Sequence, residues 1–444
     1  MPHQLSRRQV LAGGLGGLAA LGAATLAGCA PQVAGAAGAV PLKFWHLLSG
    51  GDGVRMSGML DEVNAGGDVA VRQTVLAWGT PYYTKLAMAS VGGRAPDIAI
   101  MHASRMPGYA PGGLLDPWDL DELAEAGVDE TTFSAPVWEK GFSGDRLFSV
   151  ALDAHPFVLF FNQDIADRAG VLDSDGHLPP VDSPEGFIDL AREVGGVSEG
   201  RPLSFGYLGD GAQMWRLFST FYRQQGATME LPEGGRLEWE EDAAVTSLAY
   251  MQELLDDEIA ANRNDYASAN AEFQTGQSGM IFSGVWELPA MLDIGLPVGG
   301  SPIPTLYGTP AAYADSHAFV LPHQNSPDPE RRAATYRFVA ELLGASGAWA
   351  EAGHIPAFLP VTESPGYGQL KPQADYAAAA DIVHYDPTAW FTGAGSNFQG
   401  DFGEAVQGAL LGGGDPASAV RAFQTRVDQL LSRPNPVDPE GGSR

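Results

Sequence analysis

Short apolar runs alternate along the chain with stretches in which apolar side chains recur every three or four residues. Compact apolar runs bounded by turn residues read as buried strands, and the longer period reads as helices with one face inward. Runs at Leu42–Trp45, Val69–Leu76, Asp97–Met101, Pro156–Phe161, Leu203–Tyr207, Met280–Phe282 and Ala318–Leu321 predict strands. Three helices start with a capping side chain followed by proline, whose missing N–H is harmless in the first helical turn. Ser183-Pro184 opens one with Phe187, Leu190, Ala191 and Val194 inward. Asp328-Pro329 opens the second, with Tyr336, Val339 and Leu343 inward and Gly344 as its stop, and Asp415-Pro416 opens the third over Val420, Phe423, Val427 and Leu430. A fourth helix, Asp242 to Glu258, turns Val245, Leu248, Met251 and Leu255 inward. Strands interleaved with helices predict an α/β chain with parallel sheets. At 444 residues it should form two or more domains.

The N-terminus departs from this pattern. Residues 1–28 hold no acid and only two charges, Arg7 and Arg8, ahead of an apolar run from Leu11 to Ala27. That run, about 17 residues, has the length of an export-signal core. Ser6-Arg7-Arg8-Gln9-Val10-Leu11 resembles a twin-arginine signal, and Leu26-Ala27-Gly28-Cys29 resembles a lipoprotein cleavage box. Cleavage before Cys29 and acylation of its thiol would anchor the chain at the outer face of the cytoplasmic membrane. Residues 29–40, which after Cys29 are all Ala, Gly, Pro, Gln or Val, then form a flexible tether. Residues 433–444, rich in Pro and Gly, are expected to be disordered.

Composition narrows the chemistry. Lys and Arg number 25 against 54 Asp and Glu, a net charge of −29, which excludes phosphate-backbone binding. The single Cys excludes a disulfide framework or a Cys-rich metal site. No phosphate-binding GxxxxGK loop or HExxH pair is present, and none of the nine His residues stands three or four from another. The sequence therefore gives no local metal motif, though a spatial cluster stays open, and no cofactor is expected. Gly196-Val197-Ser198-Glu199-Gly200 matches the nucleophile-elbow spacing but follows a helix instead of a strand, and reads as a surface loop. Carboxylates are abundant enough that spacing leaves a two-carboxylate glycosidase open.

Four landmarks carry a family resemblance. They are Ala95–Arg105 with Gly113-Leu114-Leu115-Asp116-Pro117; the run Asp153–Gln163; the spaced set Phe273, Gly276, Gly279, Met280, Gly284 and Trp286; and Ser316-His317 with Ala352-Gly353-His354-Ile355-Pro356-Ala357. In order and spacing they resemble the extracellular sugar-binding proteins of bacterial ABC importers, the maltose-binding-protein-like group, although Gly279 stands where Ala is usual. The resemblance implies a two-lobe periplasmic-binding-protein-like α/β fold with three interlobe crossings, lobe 1 being 41–152 plus 283–317 and lobe 2 being 153–282 plus 318–432. It also implies a monomer without catalytic activity that hands a carbohydrate to permease subunits.

Sugars offer apolar C–H faces and hydroxyl edges, so their sites join aromatic platforms to a few fixed polar groups. Residues just past strand ends are the expected lining: His46, Ser49 and Asp52; His102, Ser104 and Arg105; Asp153 and His155. Trp286 is the leading stacking platform, followed by Trp215, Trp78 and Trp390, with Asn397 a polar candidate in the Trp390 loop and His317 and His354 between pocket and core. Trp118, Trp138, Trp239 and Trp349 read as structural. A glycerol phosphodiester, a polyamine or a metal is the alternative cargo. One Arg among mixed polar groups favours sugar.

Overall fold

A computed structural model describes residues 38–438. The export segment 1–28, Cys29, most of the tether and the last six residues lie outside the described residues. The chain forms β1 (Val40–His46), β2 (Val69–Val75), β3 (Ile98–His102), β4 (Leu115–Asp116) and β5 (Ser149–Ala151), then β6 (Asp153–Asn162), β7 (Leu203–Ser204), β8 (Met280–Gly284), β9 (Val298–Pro302) and β10 (Ala312–Asp315). Beyond these come β11 (His317–Pro322), β12 (Ile355–Pro356) and β13 (Val383–His384). One sheet has the order β2-β1-β3-β11-β4, with β5 also on β11. The other has the order β13-β10-β6-β8-β7, with β9 and β12 also on β6.

The sheets are mixed, not parallel as expected. β1 runs parallel to β2 and β3, but β11 is antiparallel to β3, and β6 takes β8, β9, β10 and β12 antiparallel. Every residue of β6 is buried, and its continuous apolar run Pro156–Phe161 carries no record of its neighbours' direction.

The lobe boundaries are corrected as well. Residues 283–315, expected in lobe 1, stay in the second sheet through β8, β9 and β10. The chain returns to the first sheet only at β11, after which helix Pro329–Gly344 packs its Tyr336, Phe338 and Val339 into the core containing Leu42 and Phe44 of β1. It leaves again between Trp349, in that same core, and β12. Periodicity identified Ala318–Leu321 as a strand but held nothing about which sheet it joins.

Capping chemistry placed the helices well. Ser183 Oγ accepts from Gly186 N at 3.2 Å, Asp328 caps Pro329–Gly344, and Asp415 caps Pro416–Leu431. The fourth helix runs Glu241–Leu254, one turn shorter than expected at its C-terminal end. Residues 433–438 are not loose as expected. Asn435 Nδ2 donates to Glu233 Oε1 at 2.6 Å, and Val437 closes against Gly112.

Candidate functional site

The three passages between the sheets meet at one carboxylate. Asp153, the first residue of β6, is fully buried. Its Oδ1 lies 2.9 Å from His155 Nδ1 and accepts from His317 N at 2.8 Å. Its Oδ2 lies 2.8 Å from His317 Nδ1, accepts from Trp349 Nε1 at 2.6 Å, and is 3.3 Å from His354 Nδ1. Strand register makes this convergence: His317 pairs with His102, Asp315 with His155, and Pro356 with Asp153. Alternation along β6 then puts Asp153 and His155 on one side of the strand.

Burial works against charge on Asp153, but His317, His155 and His354 outweigh it and hold its carboxyl well below the usual range. Burial also opposes charge on His317, yet Asp153 wins and raises its pKa. His102 goes far the other way, lowered first by burial and then by His317 and His155. Asp153 and His317 thus favour each other's charged forms, whereas burial and His317 push His155 and His102 toward the neutral form.

Above this floor lies a cleft of about 860 Å³. One side is the start of helix Gly50–Gly66, with Ser49 and Asp52, together with Trp78; the floor is His102, His155 and His317. The opposite wall carries Asp210, Ala212 and Arg216 from the start of helix Gly211–Gln224, together with Tyr266, Trp286 and Glu287. Three glycines open the first helix, at positions 50, 51 and 53, and keep its first turn uncluttered. Trp286 meets His155 edge-on at 5.9 Å, donates Nε1–H to Tyr266 Oη at 2.9 Å, and carries the Arg216 guanidinium 4.8 Å above its ring. Tyr266 donates in turn to Glu287. Burial raises the Glu287 pKa against that hydrogen bond, and nearby Asp52 adds to the rise.

Of the residues expected from sequence, Ser49, Asp52, Trp78, His102, His155, Trp286 and His317 line the cleft. Asp153 and His354 lie beneath it, fully buried. The other six do not line it. His46 is buried, with Nε2 2.8 Å from Gln73 Oε1. Ser104 bonds Asp315 and accepts from Ala394 N at 3.1 Å, while Arg105 sits 4.7 Å over the Tyr83 ring and reaches Thr392 O at 3.4 Å. These two receive the loop that also holds Trp390, whose carbonyl packs on Gly108, so all three serve the contact between lobes. Trp215 is core, ringed by Phe398, Phe402 and Phe423, and Asn397 is exposed at a helix start.

Sequence reasoning missed Arg216, Tyr266 and Glu287. Arg216 was within reach: with Trp215 inward, the next residue turns by about 100°, and it stands four after Ala212 on the same face. Glu287 directly follows Trp286, already singled out. Tyr266 gave no signal: it opens the helix that carries the landmark residue Phe273, but it stands outside the landmark's own spacing.

A model of the family described as bacterial extracellular solute-binding protein matches residues 59–378. No curated protein matches. Among solved structures, the chain is similar to the cyclic α-maltosyl-1,6-maltose binding protein of Arthrobacter globiformis (19% identity, TM-score 0.70), covering 89% of this chain and 100% of that one. It is also similar to the GacH receptor of Streptomyces glaucescens, solved unliganded and with acarbose (15%, TM-score 0.70; 88% and 98% covered). A third is the sugar-binding protein MalE of Xanthomonas citri (15%, TM-score 0.72; 88% and 97% covered). At these identities the likeness shows the two-lobe fold alone. The family match spans most of the chain, and the protein belongs to the bacterial extracellular solute-binding proteins.

Proposed function

We propose that this protein captures a carbohydrate, an oligosaccharide in preference to a single sugar, between its lobes and delivers it to the permease of an ABC importer. The observation that carries the reading is the cleft itself: about 860 Å³, with the rings of Trp78, Tyr266 and Trp286 set among Ser49, Asp52, Asp210, Arg216 and Glu287. That volume stands near the top of the roughly 300–1,000 Å³ range of small-molecule sites. Aromatic faces suit sugar C–H surfaces, and carboxylates with one guanidinium suit hydroxyl edges. The oligosaccharide binders among its structural neighbours support the same class. Export and acylation at Cys29 would hold the chain at the outer face of the cytoplasmic membrane as a monomer, with the two lobes closing on ligand.

A thermal-shift panel tests this, because a ligand that binds only the folded state raises its melting temperature. Malto- and isomalto-oligosaccharides should raise it, and a panel of sugars that leaves it unchanged would remove the reading. A polyamine is the second reading, favoured by four lining carboxylates (Asp52, Asp210, Glu287 and Asp293) against Arg216 alone. Spermidine in the same panel separates the two. Assaying the sugar wells for new reducing ends tests the glycosidase alternative, for which Asp52 and Glu287 would be the acid pair.

A further inference from the structure

The geometry points to a zinc-type divalent metal site on the floor of the cleft, formed by Asp153, His155, His317 and His354. One ligating atom from each lies within 4.8 Å of all the others, and all four residues are buried. Three imidazoles and one carboxylate suit zinc and its first-row neighbours, whereas calcium and magnesium favour all-oxygen sets.

His354 is the telling member. Its Nε2 lies 3.0 Å from Asp52 Oδ1, a carboxylate oxygen that can only accept, so that nitrogen carries the proton. The other nitrogen, Nδ1, then presents a lone pair. It is buried without a hydrogen-bond partner, yet stands 3.3 Å from Asp153 Oδ2. A lone pair and a carboxylate oxygen held so close, and out of line for a hydrogen bond, call for a positive centre shared between them. His317 Nδ1 and His155 Nδ1, at 2.8 and 2.9 Å from the same carboxylate, complete the set once the ion displaces the protons they share with it. The Asp52–His354 contact has the form of the outer carboxylate that commonly orients a metal-bound histidine.

The placement has a structural meaning. Asp153 and His155 begin the first passage between the sheets, His317 ends the second, and His354 ends the third. A single ion would tie together the strands that join the lobes. Because His155 and His317 also line the cleft, the ion would stand where a bound solute can reach it. The inference does not rest on the carbohydrate reading.

The test uses tag-free protein stripped with a chelator and dialysed. Cobalt(II) should give the strong visible bands of a tetrahedral nitrogen–oxygen site, and competition with a chromophoric chelator should count one zinc per chain. His317→Gln and His354→Gln should each weaken zinc binding by roughly a hundredfold or more, and Asp52→Asn by about ten- to a hundredfold, with stoichiometry kept. The surface alternative is His177, whose ring nitrogens lie 3.7 and 3.3 Å from Asp173 and Asp375, so His177→Gln should change nothing. Circular dichroism checks that each variant folds. Should a ligand variant unfold, the wild-type cobalt spectrum and Asp52→Asn still decide. Wild-type protein without bands and without stoichiometric uptake would overturn the site, and so would uptake that follows His177 instead.

Discussion

The floor of the cleft and its far wall are built in opposite ways. At the floor, a fully buried carboxylate is surrounded by His155, His317, Trp349 and His354, brought in from separate parts of the chain. At the wall, Arg216, Tyr266, Trp286 and Glu287 are partly exposed and hold one another through a cation–π contact and two hydrogen bonds. Charge removed from water at the floor must be compensated in place, whereas wall groups keep solvent as an alternative partner. Floor residues therefore answer for the fold as well as any ligand, and wall residues are free to answer chiefly for the ligand.

The largest expected effect tests that division directly. Asp153→Ala leaves buried donors without their acceptor and should cost about 3–5 kcal/mol of stability. Glu287→Gln keeps an acceptor for the Tyr266 hydroxyl and should cost about 1 kcal/mol or less. Urea denaturation of both variants, in chelator-containing buffer so that metal plays no part, measures the gap. Equal losses would dissolve the distinction between floor and wall.

Two tryptophans sharpen it next. Trp215→Ala removes a ring from the core of the second lobe and should cost about 3–5 kcal/mol of stability. Trp286→Ala should instead weaken carbohydrate binding roughly ten- to a hundredfold, a loss of about 1–3 kcal/mol by analogy with base stacking. Calorimetric affinity and melting temperature, measured on both variants, should give opposite rankings.

Gly284→Ala is a smaller step on the same wall. An added Cβ would come within 2.0–2.2 Å of the Trp286 ring. The ring must then move off its present seat, at about 1–3 kcal/mol of stability and with altered tryptophan fluorescence. Unchanged fluorescence and melting temperature would mean that the Trp286 ring is not packed over Gly284.

The smallest effect uses a buried histidine away from the floor. His384 Nε2 lies 2.9 Å from Ser219 Oγ, and burial, with Arg223 adding to it, lowers its pKa to about 3. A histidine depressed in the folded state contributes stability that is complete above about pH 6.5 and drains away as the pH falls toward 3. Lowering the pH from 6.5 to 5 should therefore cost on the order of 2 kcal/mol through this residue. His384→Gln should remove that part of the slope when melting is followed against pH. His317 moves the opposite way because Asp153 is beside it, so identical side chains are set apart by one carboxylate. An identical slope in wild type and variant would mean that His384 is not neutral in the folded chain.

What was legible in the sequence was local. Ser183, Asp328 and Asp415 announced their helices because a cap and a proline act within one turn, and Pro156–Phe161 announced β6 because its burial is continuous. Trp286 was found through the spacing of its neighbours from Phe273 onward. Asp52, Asp153, His317 and His354 were each nominated singly, but their convergence was not readable. It depends on the pairing of His317 with His102 and of Pro356 with Asp153, and register between distant strands leaves no spacing in the chain. Trp215 failed for a related reason: a Gly-rich approach and a helix start look alike whether the ring turns to the cleft or to Phe398 and Phe402.

The central claim is that a carbohydrate is held between two lobes that close on it. Solution X-ray scattering of the chain, alone and saturated with the sugar that the thermal panel selects, tests it most directly. The radius of gyration should fall on binding, and at a sugar concentration near the wild-type Kd it should fall less for Trp286→Ala. A radius unchanged in the saturated wild-type protein would contradict the account.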